Sequence, residues 1–182
     1  LGIFTFVRSR RSLLSSIFLL FTISFGLWLI GDVITWTAQD YNLVSFVWAP
    51  LDYINIVFFL LGAYFFAVLV TEKDILNWQK VGLFILTLPA LYVTIAGKSI
   101  TVFNQPWCEA FNNLFLTQYK LIICAATLLF IIIVGIKAYR RGDRAKRRQI
   151  AIVGSALVLF FSVFSVTEYI ASQTGIYEIN LY

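Results

Sequence analysis

Residues 114–138 read LFLTQYKLIICAATLLFIIIVGIKA, and residues 139–149, which follow, read YRRGDRAKRRQ. An α-helix needs about 20 predominantly apolar residues to cross a hydrocarbon core of about 30 Å, and the first stretch supplies them. The second stretch has the opposite character. With Lys137 just before it, its Arg140, Arg141, Arg144, Lys146, Arg147 and Arg148 crowd together, countered only by Asp143. An apolar span that runs into a dense basic loop reads as a membrane helix arriving on the cytoplasmic side.

Outward from this stretch the pattern repeats. Apolar runs at about 13–36, 51–70, 81–97 and 150–171 join 114–138 to give five full spans, and residues 1–7 form a shorter apolar stub. The predicted fold is all-α, a polytopic transmembrane helical bundle occupying 1–182 as one domain. Composition leads to the same place. The 182 residues are 60% hydrophobic, 18% aromatic and only 13% charged, with mean hydropathy +0.87, which is not the balance of a soluble domain. Three prolines and ten glycines exclude collagen-like and low-complexity chains, and the apolar runs are too long for strands of a membrane barrel.

Basic residues accumulate in short cytoplasmic loops, and here twelve of fourteen fall on one side: Arg8, Arg10, Arg11, Lys73, Lys80 and the seven in and just before the quoted loop, leaving Lys98 and Lys120. Residues 40–48 and 97–113 are then expected outside, and so is the end of the chain near Tyr182. The stub precedes a basic cluster, the reverse order of a signal peptide, and reads as the tail of a truncated first helix. Methionine is absent. The chain is therefore expected to be an internal fragment, with one more helix downstream, making seven.

Much chemistry is excluded by what is missing. With no histidine and only two cysteines, Cys108 and Cys124, haem, zinc and the usual Ser/His or Cys/His pairs lose their residues. Neither a catalytic residue nor a cofactor is expected. The basic loop lacks a phosphate-cradling glycine motif, so the expected partner is the bilayer and not nucleic acid. Its cations anchor topology and attract anionic headgroups at about 1 kcal/mol each near the surface. Cys108 is assigned to the outer loop and Cys124 to the middle of a helix, a difference in depth that separates them beyond disulfide reach.

Polar residues within or beside the spans gather at the outer end. Asp32 closes the first full span, Asp52 and Asn55 open the next on one face, Lys120 lies about two turns into the span at 114–138, and Glu168 lies late in the last. Two readings fit. These side chains, with Trp28 about two turns below Trp36, form a polar sensing pocket in which Lys120 is the countercharge; or they mark the interface, where charge is tolerated. Ser155, Ser162, Ser165 and Tyr169 share an arc of the last span and are expected to face a neighbouring helix. Pro89, inside the span at 81–97, is expected to bend it.

Several ordered motifs carry a family likeness. They are Arg8-Ser-Arg-Arg-Ser12 followed by Phe18 and Trp28-Leu-Ile-Gly-Asp32, the outer Cys108-Glu-Ala110 leading to Tyr119, the inner Arg144-Ala-Lys-Arg-Arg-Gln149 before Gly154, and Tyr177-Glu-Ile-Asn-Leu-Tyr182. In this order the chain resembles the seven-transmembrane N-terminal sensor region of bacterial histidine kinases. The resemblance implies a multi-pass protein of the bacterial inner membrane that relays an extracellular or intramembrane stimulus, such as a small ligand, to a cytoplasmic kinase outside this chain. Any homodimer would form through that kinase part. The competing class is a fragment of a small-solute transporter or channel, for which polar midplanes, broken helices and inverted repeats are expected. The span middles here are mostly apolar.

Overall fold

The computed structural model describes the backbone of Gly2, Phe4, Phe6, residues 12–104 and residues 109–174, and the side chains of the same residues except 101–112 and 168–174. The chain is a multi-pass bundle of apolar helices: α1 (Leu13–Thr37), α2 (Tyr41–Thr71), α3 (Asn77–Ile85), α4 (Leu88–Ile95), α5 (Leu114–Arg141) and α6 (Arg144–Thr174). With α3 and α4 taken as one broken span, five segments are long and apolar enough to cross a membrane. A short antiparallel hairpin, β1 (Ile100–Asn104) and β2 (Glu109–Asn112), joins α4 to α5, with Phe103 opposite Ala110 and an irregularity between Ile100 and Val102.

The helices begin where a side chain can take up an orphan backbone donor. Ser12 Oγ accepts from Ser15 N, Asp40 Oδ1 from Asn42 N, Asn113 Oδ1 from Phe115 N, and Asp143 Oδ1 from Lys146 N. Between α5 and α6 only Gly142 and Asp143 turn the chain. The basic loop read from the sequence is therefore mostly helix, with α6 starting at Arg144 and not near residue 150.

The helix that carries the next span starts before residue 51. Helix α2 begins at Tyr41, so residues 41–48, expected outside, are helical. Pro50 lies inside it and cannot supply an N–H to the preceding turn. Beside this point α4 is tied to α2: the Thr94 hydroxyl donates to the Ala49 carbonyl at 3.0 Å. At 31 residues α2 is about 46 Å long, longer than a hydrocarbon core, so one end of it extends past the apolar layer.

The bend expected at Pro89 falls at a two-residue interruption of the span, where Leu86 and Thr87 keep right-handed helical dihedrals. Helix α3 stops at Ile85, Thr87 N bonds Phe84 O in a tight turn, and α4 starts at Leu88 with Pro89 in its first turn, where a missing N–H costs little. The Leu86 carbonyl beside the break accepts the Tyr119 hydroxyl of α5 at 2.7 Å. Helix α4 ends in a full Schellman motif: Gly97, at φ +63°, donates to Thr94 O, and Lys98 N donates to Val93 O.

Helix α2 is the central element. Over its most apolar stretch 56% of residues are buried, against 11–22% in the other spans, because it packs on α1, α4, α5 and α6. Its middle carries an aromatic core. Phe58 and Phe59 meet Phe161 of α6 at centroid distances of 5.2 and 5.1 Å, and Phe21 of α1 stacks on Phe58 at 4.9 Å. Gly62 makes this approach possible, since a Cβ there would lie 2.3 Å from the Phe161 ring. The stub also touches the bundle: a Cβ on Gly2 would meet Thr22 Oγ1. Residues 1, 3, 5 and 7–11, including Arg8, Arg10 and Arg11, lie outside the described residues.

Charge separates the two ends. Nine of the eleven described lysines and arginines lie at the end holding the α2–α3 and α5–α6 turns, and the exceptions are Lys98 and Lys120. The ion pair Lys146–Glu72 ties α6 to the end of α2 there. Beside it, Asp74 accepts from Lys80 at 2.5 Å and from the Tyr64 hydroxyl at 2.6 Å. These two donors, Lys80 first, hold the Asp74 carboxyl below its ordinary range.

Candidate functional site

Three polar residues of the sequence reading are buried together at the hairpin end. Asp52 stands eleven residues into α2 and Lys120 six residues into α5, about 17 and 9 Å along their helix axes. The deeper setting of Asp52 reflects the extra turns that α2 gains before Pro50. Lys120 Nζ donates to Asp52 Oδ1 at 2.8 Å, and the two side chains are only 3% and 5% exposed. Asn55, 1% exposed, follows Asp52 by three residues, one turn along the same face of α2.

Apolar packing surrounds this group. On α5, Leu116 and Ile123 lie a turn to either side of Lys120 and are buried, and on α2 so are Leu51 and Ile56. A single charge in such surroundings would carry a desolvation cost of several kcal/mol, and the partner offsets it only when the geometry is good. The 2.8 Å contact meets that condition. The pair therefore fixes α2 against α5 at one depth and in one rotational setting, because a shift of one residue on either helix would turn one charge away from the other.

The remaining members of the expected set are placed differently. Asp32 is half-buried on α1, near the crossing where Gly31 packs against Leu51; its backbone carbonyl accepts the Thr35 hydroxyl at 2.8 Å. That crossing brings α1 to the depth of the Asp52–Lys120 pair. Trp28 is not among the charges. Its ring packs on Phe164 at 4.6 Å and Phe25 at 6.4 Å, so it continues the aromatic core toward the hairpin end. An indole offers far more ring surface than hydrogen-bonding capacity, and the neighbouring phenylalanines satisfy that surface. Glu168 belongs to α6, three residues past Ser165, and its side chain lies outside those described. Cys108, Tyr169 and residues 177–182 of the sequence motifs are likewise outside the described side chains.

The serine arc of α6 divides. Ser165 donates to the Cys124 thiol of α5 at 2.7 Å, and that thiol in turn lies 3.8 Å from Phe161 O. Ser162 is half-buried, whereas Ser155 is exposed and bonds back to Ile152 O in its own helix. The expectation that the whole arc faces a neighbour is corrected at Ser155, where α6 has turned its polar edge outward and the hydroxyl is satisfied by its own preceding turn.

Two polar contacts of this half of the molecule escape a reading by residue type: Thr94 at the Ala49 carbonyl and Tyr119 at the Leu86 carbonyl. Both reach a backbone carbonyl close in sequence to a proline. A proline within an apolar run, with a hydroxyl on another span at similar depth, is the signal that would have pointed to them. Among the described residues no group of three His, Cys, Asp or Glu side chains is arranged to hold a metal ion. Comparisons with protein-family models, with curated proteins and with solved structures give no match.

Proposed function

We propose that this chain is the membrane-embedded sensory input region of a bacterial signal-transducing histidine kinase, sitting in the inner membrane with its basic end in the cytoplasm. The observation that carries this reading is the buried Asp52–Lys120 pair, set in the hairpin-end half of an apolar bundle. A signal requires a stimulus that interacts differently with two arrangements of the protein. An ion pair joining two helices meets this requirement, because any ion, proton or small polar ligand that competes for one partner weakens the bond between α2 and α5. Helix α5 then extends without interruption to the basic end, where a change in its setting could be passed on.

The transporter or channel reading shares one feature with this chain, the break between α3 and α4. Unwound segments in transporters leave carbonyls for ions, but here Leu86 and Thr87 keep helical dihedrals and the Leu86 carbonyl accepts the Tyr119 hydroxyl. That contact favours the sensor reading.

The test begins with the encoding gene beyond Tyr182. A further helix followed by a histidine-bearing dimerisation helix and an ATP-binding module is expected; a stop codon soon after would remove the proposal. With the full-length protein in membranes, autophosphorylation across candidate stimuli is then compared for the parent, Asp52→Asn and Lys120→Gln. Loss or locking of the response in normally produced variants is expected, and parental responses in both would overturn the role of the pair.

A further inference from the structure

A second feature lies at the opposite end and is independent of the ion pair. Two cavities meet where α5 turns into α6. One, of about 630 Å³, is lined by Tyr139, Asp143, Arg144, Arg147 and Arg148. The other, of about 340 Å³, is an apolar groove between α5 and α6 whose lining includes Ile132, Ile136, Gly154 and Val158. Tyr139 and Ala151 line both, so the cationic basin opens directly onto the apolar groove.

The geometry points to a binding seat for one anionic phospholipid, with its phosphate in the arginine basin and an acyl chain along the α5–α6 groove. Charge complementarity is the first argument. Three arginines face one carboxylate, and an oxygen of that carboxylate already accepts the Lys146 N–H as the cap of α6. The second is preorganisation. Arg147 is held by its Nε on the Gly142 carbonyl at 2.8 Å, with its guanidinium 5.7 Å from the Tyr139 ring centroid. A guanidinium fixed in this way, with N–H groups to spare, matches the bidentate geometry of a phosphate. The groove is the third. Gly135 and Gly154 carry no side chain into it, and Phe66 closes its floor. Basic pockets between helices on the cytoplasmic side suit anionic headgroups, and the groove makes this one a place for a whole lipid and not only for its charge. The cavity on the other flank of the turn also carries Lys137, Arg141 and Lys146, but there Lys146 is committed to Glu72 and the buried Ile150 is the residue it shares with the groove.

The test uses the chain purified in detergent and native mass spectrometry with phosphatidylglycerol or phosphatidylcholine added. The parent is expected to retain phosphatidylglycerol in preference to phosphatidylcholine at one-to-one stoichiometry. Arg144→Gln with Arg147→Gln should weaken that retention roughly tenfold or more, whereas Lys73→Gln with Arg141→Gln, the same charge change outside the seat, should leave it unchanged. Ala151→Phe keeps every charge and fills the groove, and should also release the lipid. Thermal unfolding of each variant confirms that it is folded; all the substituted side chains are exposed. Equal loss in the two charge variants, undiminished retention in Ala151→Phe, or full displacement by millimolar inorganic phosphate would each overturn the seat in favour of general electrostatic attraction or a free-anion site.

Discussion

The two ends of the bundle use the same pairing of lysine with carboxylate at very different depths. At the hairpin end Asp52 and Lys120 are 5% and 3% exposed; at the basic end Lys80 and Asp74 are 40% and 41% exposed, and Glu72 stands largely in the open. In the open, water solvates each charge whether or not it is paired, so the pair contributes little and salt screens it. Between α2 and α5 little water is available, and each charge depends on the other. The comparison separates anchoring from coupling. The pairs at the basic end are open to water, whereas the buried pair ties two helices together at one depth.

This contrast can be broken at several places, in order of expected effect. Lys120→Met removes the buried countercharge that Asp52 has on α5 and should cost about 3–5 kcal/mol of stability, read as a large fall in thermal midpoint in detergent. Gly62→Leu forces a side chain into the Phe161 and Phe21 rings and should cost about 1–3 kcal/mol by overpacking; unchanged stability would mean that α2, α1 and α6 are not in close contact there. Gly97→Val imposes a positive φ on a β-branched residue and should cost roughly 1–2 kcal/mol, loosening the start of the hairpin without touching the core. Lys80→Gln should have the smallest effect. The pair it removes stabilises the fold above the ordinary carboxylate range, because Asp74 titrates lower when folded. That contribution fades as pH falls through the lowered value. A stability difference between parent and Lys80→Gln that grows toward acid pH would contradict this sign.

The spans were legible in the sequence because a run of about 20 apolar residues has few alternatives in a chain this hydrophobic. The capping residues Ser12, Asp40, Asn113 and Asp143 are of the types that begin helices. Three features were not legible, each for a physical reason. Residues 41–49 precede a proline and contain Asn42 and Ser45, so the apolar run reads as starting after them; the packing of this end of the helix on α4 is tertiary. The strands at 100–104 and 109–112 are too short for alternation to announce them, and their pairing rather than their composition defines them. The outward setting of Ser155 and the aromatic setting of Trp28 share a cause. Periodicity shows which residues lie on one face of a helix, but in a membrane the lipid and the protein interior are both apolar, so it does not show which face meets protein. Asp52, Asn55 and Lys120 escaped that ambiguity, since charged and amide groups have few places to go in hydrocarbon other than inward.

A double-mutant cycle on Asp52 and Lys120 tests the account most directly, with stability measured for the parent, Asp52→Leu, Lys120→Met and the combined variant. Each single change removes the partner that the other buried charge has across α2 and α5, whereas the combined change leaves an apolar contact of similar volume. The account predicts that the double variant is close to the parent, more stable than the sum of the single effects by about 3 kcal/mol or more. Additive losses would contradict it, because they would mean that the two side chains do not depend on each other and that the hairpin end holds no coupled polar centre.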